Sequence, residues 1–312
     1  MHFTTKVPVA AYNNPIDYQS RILSLGSCFA ENMSEKFAYF KFQIAINPFG
    51  IVFNPVSIEK LIDRVVNQRL FTEADIFFHN ELWHCYEVHS ELSHPDKDFF
   101  LDRLNQILGE LHHQIFKFSN CIITFGTAWV YRYNDSGQIV ANCHKVPQKE
   151  FTKEILSPET IQQSIQNTIA LIQKVNPDSQ FIFTVSPVRH LKDGFAENQR
   201  SKAHLITAIH NLTAQYNYFP SYEIMMDELR DYRFYAEDLL HPSQTAIDYI
   251  WERFSEHYVS ADCFGVMQEV DNIQKGLAHR PFNPNTASHQ QFVASITQKI
   301  AKLRAQFPHF QF

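Results

Sequence analysis

The sequence has no long apolar run and no excess of basic residues. Nowhere do about 18 apolar residues follow one another, so we expect no membrane span. Asp and Glu (33) outnumber Lys and Arg (27), and the formal charge of −6 gives no electrostatic footprint for nucleic acid. The opening segment MHFTTKVPVAAYNN lacks a charged start followed by an apolar stretch, so we expect no secretory signal.

The cysteines do not have the number or spacing of a disulfide framework. There are five, and this odd, scattered set favours reduced thiols and a cytoplasmic protein. They are Cys28, Cys85, Cys121, Cys143 and Cys263. The 16 histidines include no Cys/His set with zinc spacing, and the adjacent His112 and His113 would point in different directions on a helix. We therefore predict no metal site.

Hydrophobic residues make up 45% of the chain, and 28 residues are Phe, which is typical of a globular protein. Short β-branched or aromatic segments alternate with helical patterns, and this order predicts a parallel sheet covered on both faces. The predicted strands are 21–26, 42–46, 120–125 and 180–185, with a possible fifth at 217–226. The helical patterns lie at 58–65, 100–111, 157–172, 205–212 and 243–254.

Three segments depart from this alternation. Residues 75–89 and 128–143 resemble β-hairpins, the second with its turn at Asn134–Gly137. From about residue 264 the chain reads as a polar tail with one amphipathic helix near 288–306. We therefore predict a domain over residues 1–263 and a tail over residues 264–312.

Glycine is rare, with only 8 residues, yet three of them directly follow predicted strands. Gly26, Gly50 and Gly126 occupy positions where open α/β sheets form their ligand crevice. An ordinary turn remains an equally good reading for Gly50.

A candidate nucleophile follows the first strand. Ser27 and Cys28 lie between the apolar run 22–25 and a helix whose Phe29, Met33 and Phe37 recur on one face. A group at such a turn is held beside the N–H groups of a helix start, which favour a thiolate. Cys28, Ser27 or neither could serve, since free cysteines are often small buried residues.

A candidate base lies much later in the chain. His241 precedes Pro242 on a loop before a helix that Ser243 would cap, and Asp238 comes three residues before His241. An aspartate at this spacing can accept the Nδ1 proton and orient the imidazole as a general base. The alternative is a loop histidine bonded to the backbone.

These motifs resemble those of a known family. The segment GSCFA (26–30), the segment NPFGIVFNP (47–55) and the late D-x-x-H look like the GSCFA family, which belongs with the SGNH (GDSL-type) hydrolases. The resemblance covers roughly residues 20–260. It implies a three-layer α/β/α sandwich with a central parallel sheet, of a kind found in esterases, lipases, carbohydrate deacetylases and some acyltransferases.

The resemblance implies roles position by position. Cys28 falls at the nucleophile position, Ser27 where the family's aspartate stands, and Asp238 and His241 match the late block. Gly50 corresponds to the second block. Gly126 matches the third block, but Thr127 and Ala128 follow it where the oxyanion-binding asparagine is expected. Candidate oxyanion donors are therefore the backbone N–H groups of Cys28 and Gly50, with Thr127, Trp129 or Asn47 as substitutes.

Other polar residues are predicted near the same edge. Ser186, Arg189 and His190 follow the strand at 180–185. Arg189 could bind a carboxylate or phosphate, or pair with acidic residues of 223–231, and His190 could donate to a substrate carbonyl. His84 and His144 lie on the two hairpins and are either crevice residues or ordinary satisfied histidines. Trp129, Tyr131 and Tyr133 alternate on one strand and either stack on substrate or pack in the core.

The sequence thus predicts an enzyme of acyl transfer. The first choice is a hydrolase of small-molecule or carbohydrate acyl esters that uses a Cys/Ser-His-Asp triad and requires no cofactor. One alternative is an acyltransferase that moves an acyl group from a thioester to a sugar or another alcohol. A second is a catalytically silent binding module on the same scaffold. The oligomeric state stays open.

Overall fold

The computed structural model describes residues 4–212 and 216–312. Its strands are β1 (Arg21–Gly26), β2 (Gln43–Ile46), β3 (Phe77–His79), β4 (Leu82–His84), β5 (Asn120–Phe125), β6 (Trp129–Tyr133), β7 (Ile139–Val140), β8 (Phe151–Ile155), β9 (Gln180–Val185) and β10 (Asn217–Phe219). Its helices are α1 (Cys28–Tyr39), α2 (Pro55–Val66), α3 (Lys97–Ile115), α4 (Pro158–Val175), α5 (Phe195–His210), α6 (Ser221–Glu223), α7 (Gln244–Tyr258), α8 (Phe264–Ala278) and α9 (Ala287–Gln306).

Five strands form a parallel central sheet in the order β10-β9-β5-β1-β2. The strands predicted at 21–26, 42–46, 120–125 and 180–185 are confirmed as β1, β2, β5 and β9. The fifth ends at Phe219, so the prediction of a strand over 217–226 is wrong beyond that residue. Pro220 lacks the N–H that a continuing strand would donate, and the chain enters α6 and then a π-helical turn at Ile224–Glu228.

Alternate residues of the strands face two separate helical layers. Leu23 and Ile123 pack with α2, α3, α4 and α5, whereas Ile22 and Ile122 pack with α1, α7, α8 and α9. This side-chain alternation follows from the period of two in a strand, and it produces the predicted α/β/α sandwich.

Capping residues fix where several helices begin. Asn54 accepts the N–H of Ser57 at 2.9 Å before Pro55. Ser157 caps α4 and Ser243 caps α7, as the sequence predicted. A side-chain oxygen at this position pairs an N–H that the helix itself leaves without a partner.

Both predicted hairpins are present. β3 pairs with β4 and β6 with β7, each antiparallel. β8 was not predicted; it pairs antiparallel with β6 along Phe151–Ile155. Its sequence FTKEI is short, charged and mostly half-buried, so it lacks the apolar run by which the central strands were recognised.

The tail contains two helices and not one. The prediction missed α8, whose Met267, Val270 and Ile273 are buried among polar neighbours. These three residues belong to the same hydrophobic cluster as Phe29 of α1, and Tyr39 donates to Asp271 at 2.9 Å. The segment after residue 263 therefore packs against the α1 face of the sheet.

None of the helices in the described part of the chain combines the length and apolarity needed to cross a bilayer.

Candidate functional site

The bend after β1 requires glycine. Gly26 has φ +130°, and a Cβ there would lie 2.0 Å from the carbonyl oxygen of Thr124 on β5. The amide of Gly26 donates to Oδ1 of Asn47 at 2.8 Å, and the amide of Ser27 donates to the Thr124 oxygen at 3.0 Å. The bend is thus held by both neighbouring strands, and α1 begins immediately after it.

The two candidate nucleophiles differ in accessibility. Ser27 is fully buried, and its Oγ has no hydrogen-bond partner among the described residues. Cys28 is the first residue of α1 and is partly exposed. Burial raises the pKa of the Cys28 thiol, against the opposing effects of the Phe29 backbone N–H and the positive charge of Lys202. The thiol therefore needs a base to remove its proton near neutral pH.

The turn after β2 supports this bend and has few free donors. Asn47 accepts from Gly26 and donates through Nδ2 to Glu31 at 3.2 Å. The amide of Gly50 donates to the Asn47 carbonyl at 2.7 Å. Gly50 has φ +75°, and a Cβ there would lie 2.3 Å from Cβ of His89. The side chain of Asn47 and the amide of Gly50 are thus already engaged within the protein.

Residues after β5 are bonded to α5 and its neighbours. The amide of Gly126 donates to Phe53 O at 2.8 Å. Thr127 Oγ1 lies 3.0 Å from Ser201 Oγ, and the Trp129 indole donates to Glu197 O at 3.3 Å. Thr127 and Trp129 are therefore also engaged in contacts with the protein.

The segment after β9 brings further groups to the sheet edge. Ser186 is fully buried, and its Oγ accepts the Val188 N–H at 3.3 Å. Nε2 of His190 is buried and has no partner among the described residues. Burial, together with the nearby charges of Lys202 and His241, lowers the pKa of His190 to about 3. His190 is therefore neutral at physiological pH.

Arg189 does not pair with the acidic residues of 223–231, one of the two contacts considered for it. Its guanidinium lies over the rings of Tyr235 and Tyr232, 4.0 and 5.3 Å from their centroids, and within residues 4–212 and 216–312 no carboxylate is in ion-pair range of it. Stacking of this kind is a common use of the planar guanidinium.

Asp238 and His241 form the predicted pair. Nδ1 of His241 lies 2.6 Å from Asp238 Oδ2, while Asp238 Oδ1 accepts the N–H groups of Leu240 at 2.9 Å and His241 at 3.0 Å. These backbone and side-chain donors lower the pKa of Asp238 to about 2. The carboxylate is thus ionised, so Nδ1 carries the proton and Nε2 is left as the basic nitrogen.

The loop that carries this pair is closed at its base. The amide of Ala236 donates to His241 O at 2.7 Å, and that of Ser243 donates to Phe234 O at 2.8 Å. Leu239 has φ +58°, an uncommon conformation for a branched residue. Both Asp238 and His241 are nearly half exposed.

Backbone contacts bring these segments to one edge of the sheet. The ends of β1, β5 and β9 are adjacent, since Gly26 pairs with Thr124 and Phe125 with Val185. The amide of Arg189 donates to Leu240 O at 3.1 Å, which attaches the His241 loop to the segment after β9. The residues at this edge, which we call the crevice, are Ser27, Cys28, Gly126, Ser186, Arg189, His190, Asp238 and His241.

His84 and His144 form a separate group. Their rings are 4.7 Å apart. His84 contacts Ser93 Oγ and His79 O, and His144 contacts Cys85 O at 2.7 Å. Burial lowers the pKa of His144 to about 4. Both rings thus serve local packing, and no set of three His, Cys, Asp or Glu side chains in the described chain is arranged to hold a metal ion.

The aromatic residues of β6 are packed in part. The ammonium of Lys153 lies 4.9 Å from the centroid of Trp129 and 5.7 Å from that of Tyr131. Tyr133 packs on Tyr86, with 4.9 Å between ring centroids. These three rings are half-buried and pack on neighbouring side chains.

Lys202 was missed by sequence reasoning. It is 1% exposed, and its Nζ donates to Gly126 O at 2.7 Å and to Ser186 O at 2.8 Å. It lies on the buried face of α5 with Leu205 and Ile209, at the helical spacings of three and seven. A lysine in register with an apolar stripe was the signal that could have identified it.

Comparison with known proteins gives two adjacent matches. The model of the GSCFA family matches residues 21–254. The model described as GSCFA domain protein, C-terminal domain, matches residues 270–312. No curated protein matches the sequence. The first match includes β1 with its bend, the sheet and the Asp238–His241 loop, and it spans well over half of the chain. The chain therefore belongs to the GSCFA family.

Proposed function

We propose that this protein is an SGNH-like acyl-ester hydrolase in which Cys28 is the nucleophile, His241 the general base and Asp238 the orienting carboxylate. The observation that carries the proposal is the Asp238–His241 pair, with 2.6 Å between Oδ2 and Nδ1, on the loop that is bonded to the segment after β9. A parallel α/β sheet with polar groups at the carboxyl ends of its strands is compatible with an enzyme.

The thiol is a better candidate than the neighbouring hydroxyl. Cys28 is partly exposed at the start of α1, whereas Ser27 is enclosed. Because burial keeps the thiol protonated, the reaction needs the free Nε2 of His241. That nitrogen is available because Asp238 accepts the proton on Nδ1.

In the proposed reaction, Nε2 of His241 takes the proton from the Cys28 sulfur as the sulfur attacks the ester carbonyl carbon. The C=O electron pair moves to the oxygen, where the backbone N–H groups at the start of α1 stabilise the negative charge. The C–O bond to the leaving alcohol then breaks, and the imidazolium returns the proton to that oxygen. Water attacks the resulting thioester by the same route and releases the acid.

The donors for the oxyanion are fewer than the sequence suggested. The Gly50 amide and the Asn47 side chain are already bonded within the protein. The amides of Cys28 and Phe29, at the first turn of α1, have no acceptor within that helix. We therefore place the oxyanion at these two amides.

The test uses the variants Cys28→Ala, Ser27→Ala and His241→Ala, assayed for hydrolysis of aryl acetates. We expect Cys28→Ala and His241→Ala to lose activity and Ser27→Ala to retain most of it. Loss in Ser27→Ala and His241→Ala, with activity retained in Cys28→Ala, would make the serine the nucleophile. Equal activity of all three variants would refute the triad and favour a silent binding module. Consumption of acetyl-CoA only when sugars are added would instead indicate the acyltransferase.

A further inference from the structure

Lys202 is a buried charge without a counter-charge. It is 1% exposed, and no carboxylate among residues 4–212 and 216–312 lies within ion-pair distance of its Nζ. Its polar partners are two carbonyl oxygens, of Gly126 at 2.7 Å and Ser186 at 2.8 Å. Burying an ammonium group is costly unless other groups replace its water. A methionine would fill the same space without this cost.

The two carbonyls belong to neighbouring strand ends. Gly126 directly follows β5 and Ser186 directly follows β9. The amide of Ser186 also donates to Phe125 O at 2.9 Å. By binding both oxygens, the ammonium fixes the distance between the two chain segments at the crevice.

The same ammonium lies beside the bend that carries Cys28. A Cβ at Gly126 would be only 3.3 Å from Cβ of Ser27. The residue whose carbonyl Lys202 binds therefore packs against the residue that precedes Cys28. The positive charge of Lys202 acts on Cys28 to favour the thiolate. Three other titratable groups face this pair: Glu31 of α1 opposes the thiolate, His190 is close to Lys202, and the ring centroid of Tyr222 lies 5.8 Å from the Lys202 ammonium.

We propose that Lys202 is a positioning residue of the crevice: its ammonium ties the ends of β5 and β9 together and places a positive charge beside the Cys28 thiol. The inference rests on the proposed function only in taking Cys28 as the nucleophile. Lys202 itself does not react.

The charge of Lys202 changes within an accessible pH range, because burial lowers its pKa to about 7. The electrostatic stabilisation of the Cys28 thiolate by Lys202 should therefore be complete well below pH 7 and decrease above it. A purely structural lysine would change thiol reactivity by the same factor at every pH. The pH profile of Cys28 alkylation therefore distinguishes the two roles.

The experiment measures the rate of Cys28 carbamidomethylation by iodoacetamide from pH 6 to pH 9, by peptide mass spectrometry. It compares the intact protein with Lys202→Met and with Arg200→Met. Arg200 is an exposed residue of the same helix, so its variant removes a charge without touching the crevice. We expect Lys202→Met to be alkylated about three- to tenfold more slowly at pH 6, since one pKa unit corresponds to a tenfold change. The difference should shrink towards pH 9, and Arg200→Met should follow the unmodified protein.

A ratio that is constant with pH, or equal rates throughout, would overturn the proposal. Lys202→Gln keeps two N–H donors without the charge, and it covers the case in which Lys202→Met does not fold. It should behave like Lys202→Met, and a profile like that of the unmodified protein would assign the role to hydrogen bonding alone. If Cys28→Ala still hydrolyses esters while the Lys202 profile shifts as expected, the proposed function fails, and the effect of Lys202 on the Cys28 thiol stands without a catalytic role.

Discussion

Replacing Asp238 by asparagine should remove the general base while leaving the fold intact. Asparagine keeps an oxygen for the amides of Leu240 and His241, which Asp238 now accepts at 2.9 and 3.0 Å. Its NH₂ group would then face Nδ1 of His241 in place of the carboxylate oxygen at 2.6 Å. Two donors cannot face each other, so Nδ1 must become an acceptor and the proton moves to Nε2.

Nε2 would then have no lone pair to accept the Cys28 proton. General-base catalysis contributes about 10²- to 10⁴-fold to a rate, and a tautomer reversal in a serine-protease triad costs about 10⁴-fold in kcat. Because this pair is nearly half exposed, water can partly orient the ring, and we expect a loss of about 10²- to 10³-fold.

The assay is aryl acetate hydrolysis at pH 7, with thermal unfolding followed in parallel. Glu237→Gln is the matched control, since it removes the neighbouring exposed carboxylate and should leave the rate unchanged. The unfolding curves of all three proteins should superimpose. If Asp238→Asn hydrolyses the ester at the unmodified rate, Asp238 does not orient the base and the triad is wrong.

Three further predictions concern stability. Lys202 has a pKa of about 7 in the fold against 10.5 for an ordinary lysine, so the unfolded state binds more protons between these values, and the free energy of unfolding should rise by about 2 kcal/mol from pH 7 to pH 8.5. The free energy of unfolding of Lys202→Met, measured by urea titration, should lack this rise. The same pH dependence in Lys202→Met and the unmodified protein would contradict the assignment. Gly26→Ala should cost at least about 3 kcal/mol in urea unfolding, because its Cβ would lie 2.0 Å from the Thr124 carbonyl oxygen; a loss below about 1 kcal/mol would disprove the close approach. Arg64 donates to both carboxylate oxygens of Glu87, at 2.8 and 2.7 Å. Arg64→Met should cost about 3 kcal/mol in urea unfolding, the lower end for a broken buried pair, because Lys60 still lies 3.1 Å from Glu87 Oε1. Adding Glu87→Gln should recover part of the loss.

Most of the fold could be predicted because the central strands are buried on both faces. Segments such as 120–125 (NCIITF) are short and rich in β-branched and aromatic residues, and this pattern identifies them without knowledge of their neighbours. β8 and α8 were not predicted from the sequence, for the opposite reason. Both contain few apolar residues. Their positions depend on contacts made only in the folded chain, because β8 is hydrogen-bonded to β6 and α8 packs against α1 and its neighbours.

The crevice shows the same limit at the level of single residues. The spacing of Asp238 and His241 is local, so three residues of sequence were enough to predict their hydrogen bond. The engagement of the Gly50 amide by Asn47 and the contact of Lys202 with two strand ends depend on segments that meet only in the folded chain. For Arg189, acidic residues nearby in the sequence suggested an ion pair, whereas in the structure its guanidinium stacks on two tyrosine rings.

The loop from Phe234 to Ser243 constrains how the crevice can adapt. Asp238 accepts two backbone amides of its own loop, and the amides of Ala236 and Ser243 close that loop by hydrogen bonds within it. The carboxylate and the imidazole therefore cannot move independently of each other. A bulky ester that needs more space would have to displace the pair as one rigid body and break the link from Leu240 to Arg189. We therefore expect tolerance towards substrate size to end abruptly instead of declining gradually, with the left-handed backbone at Leu239 marking where such a displacement would begin.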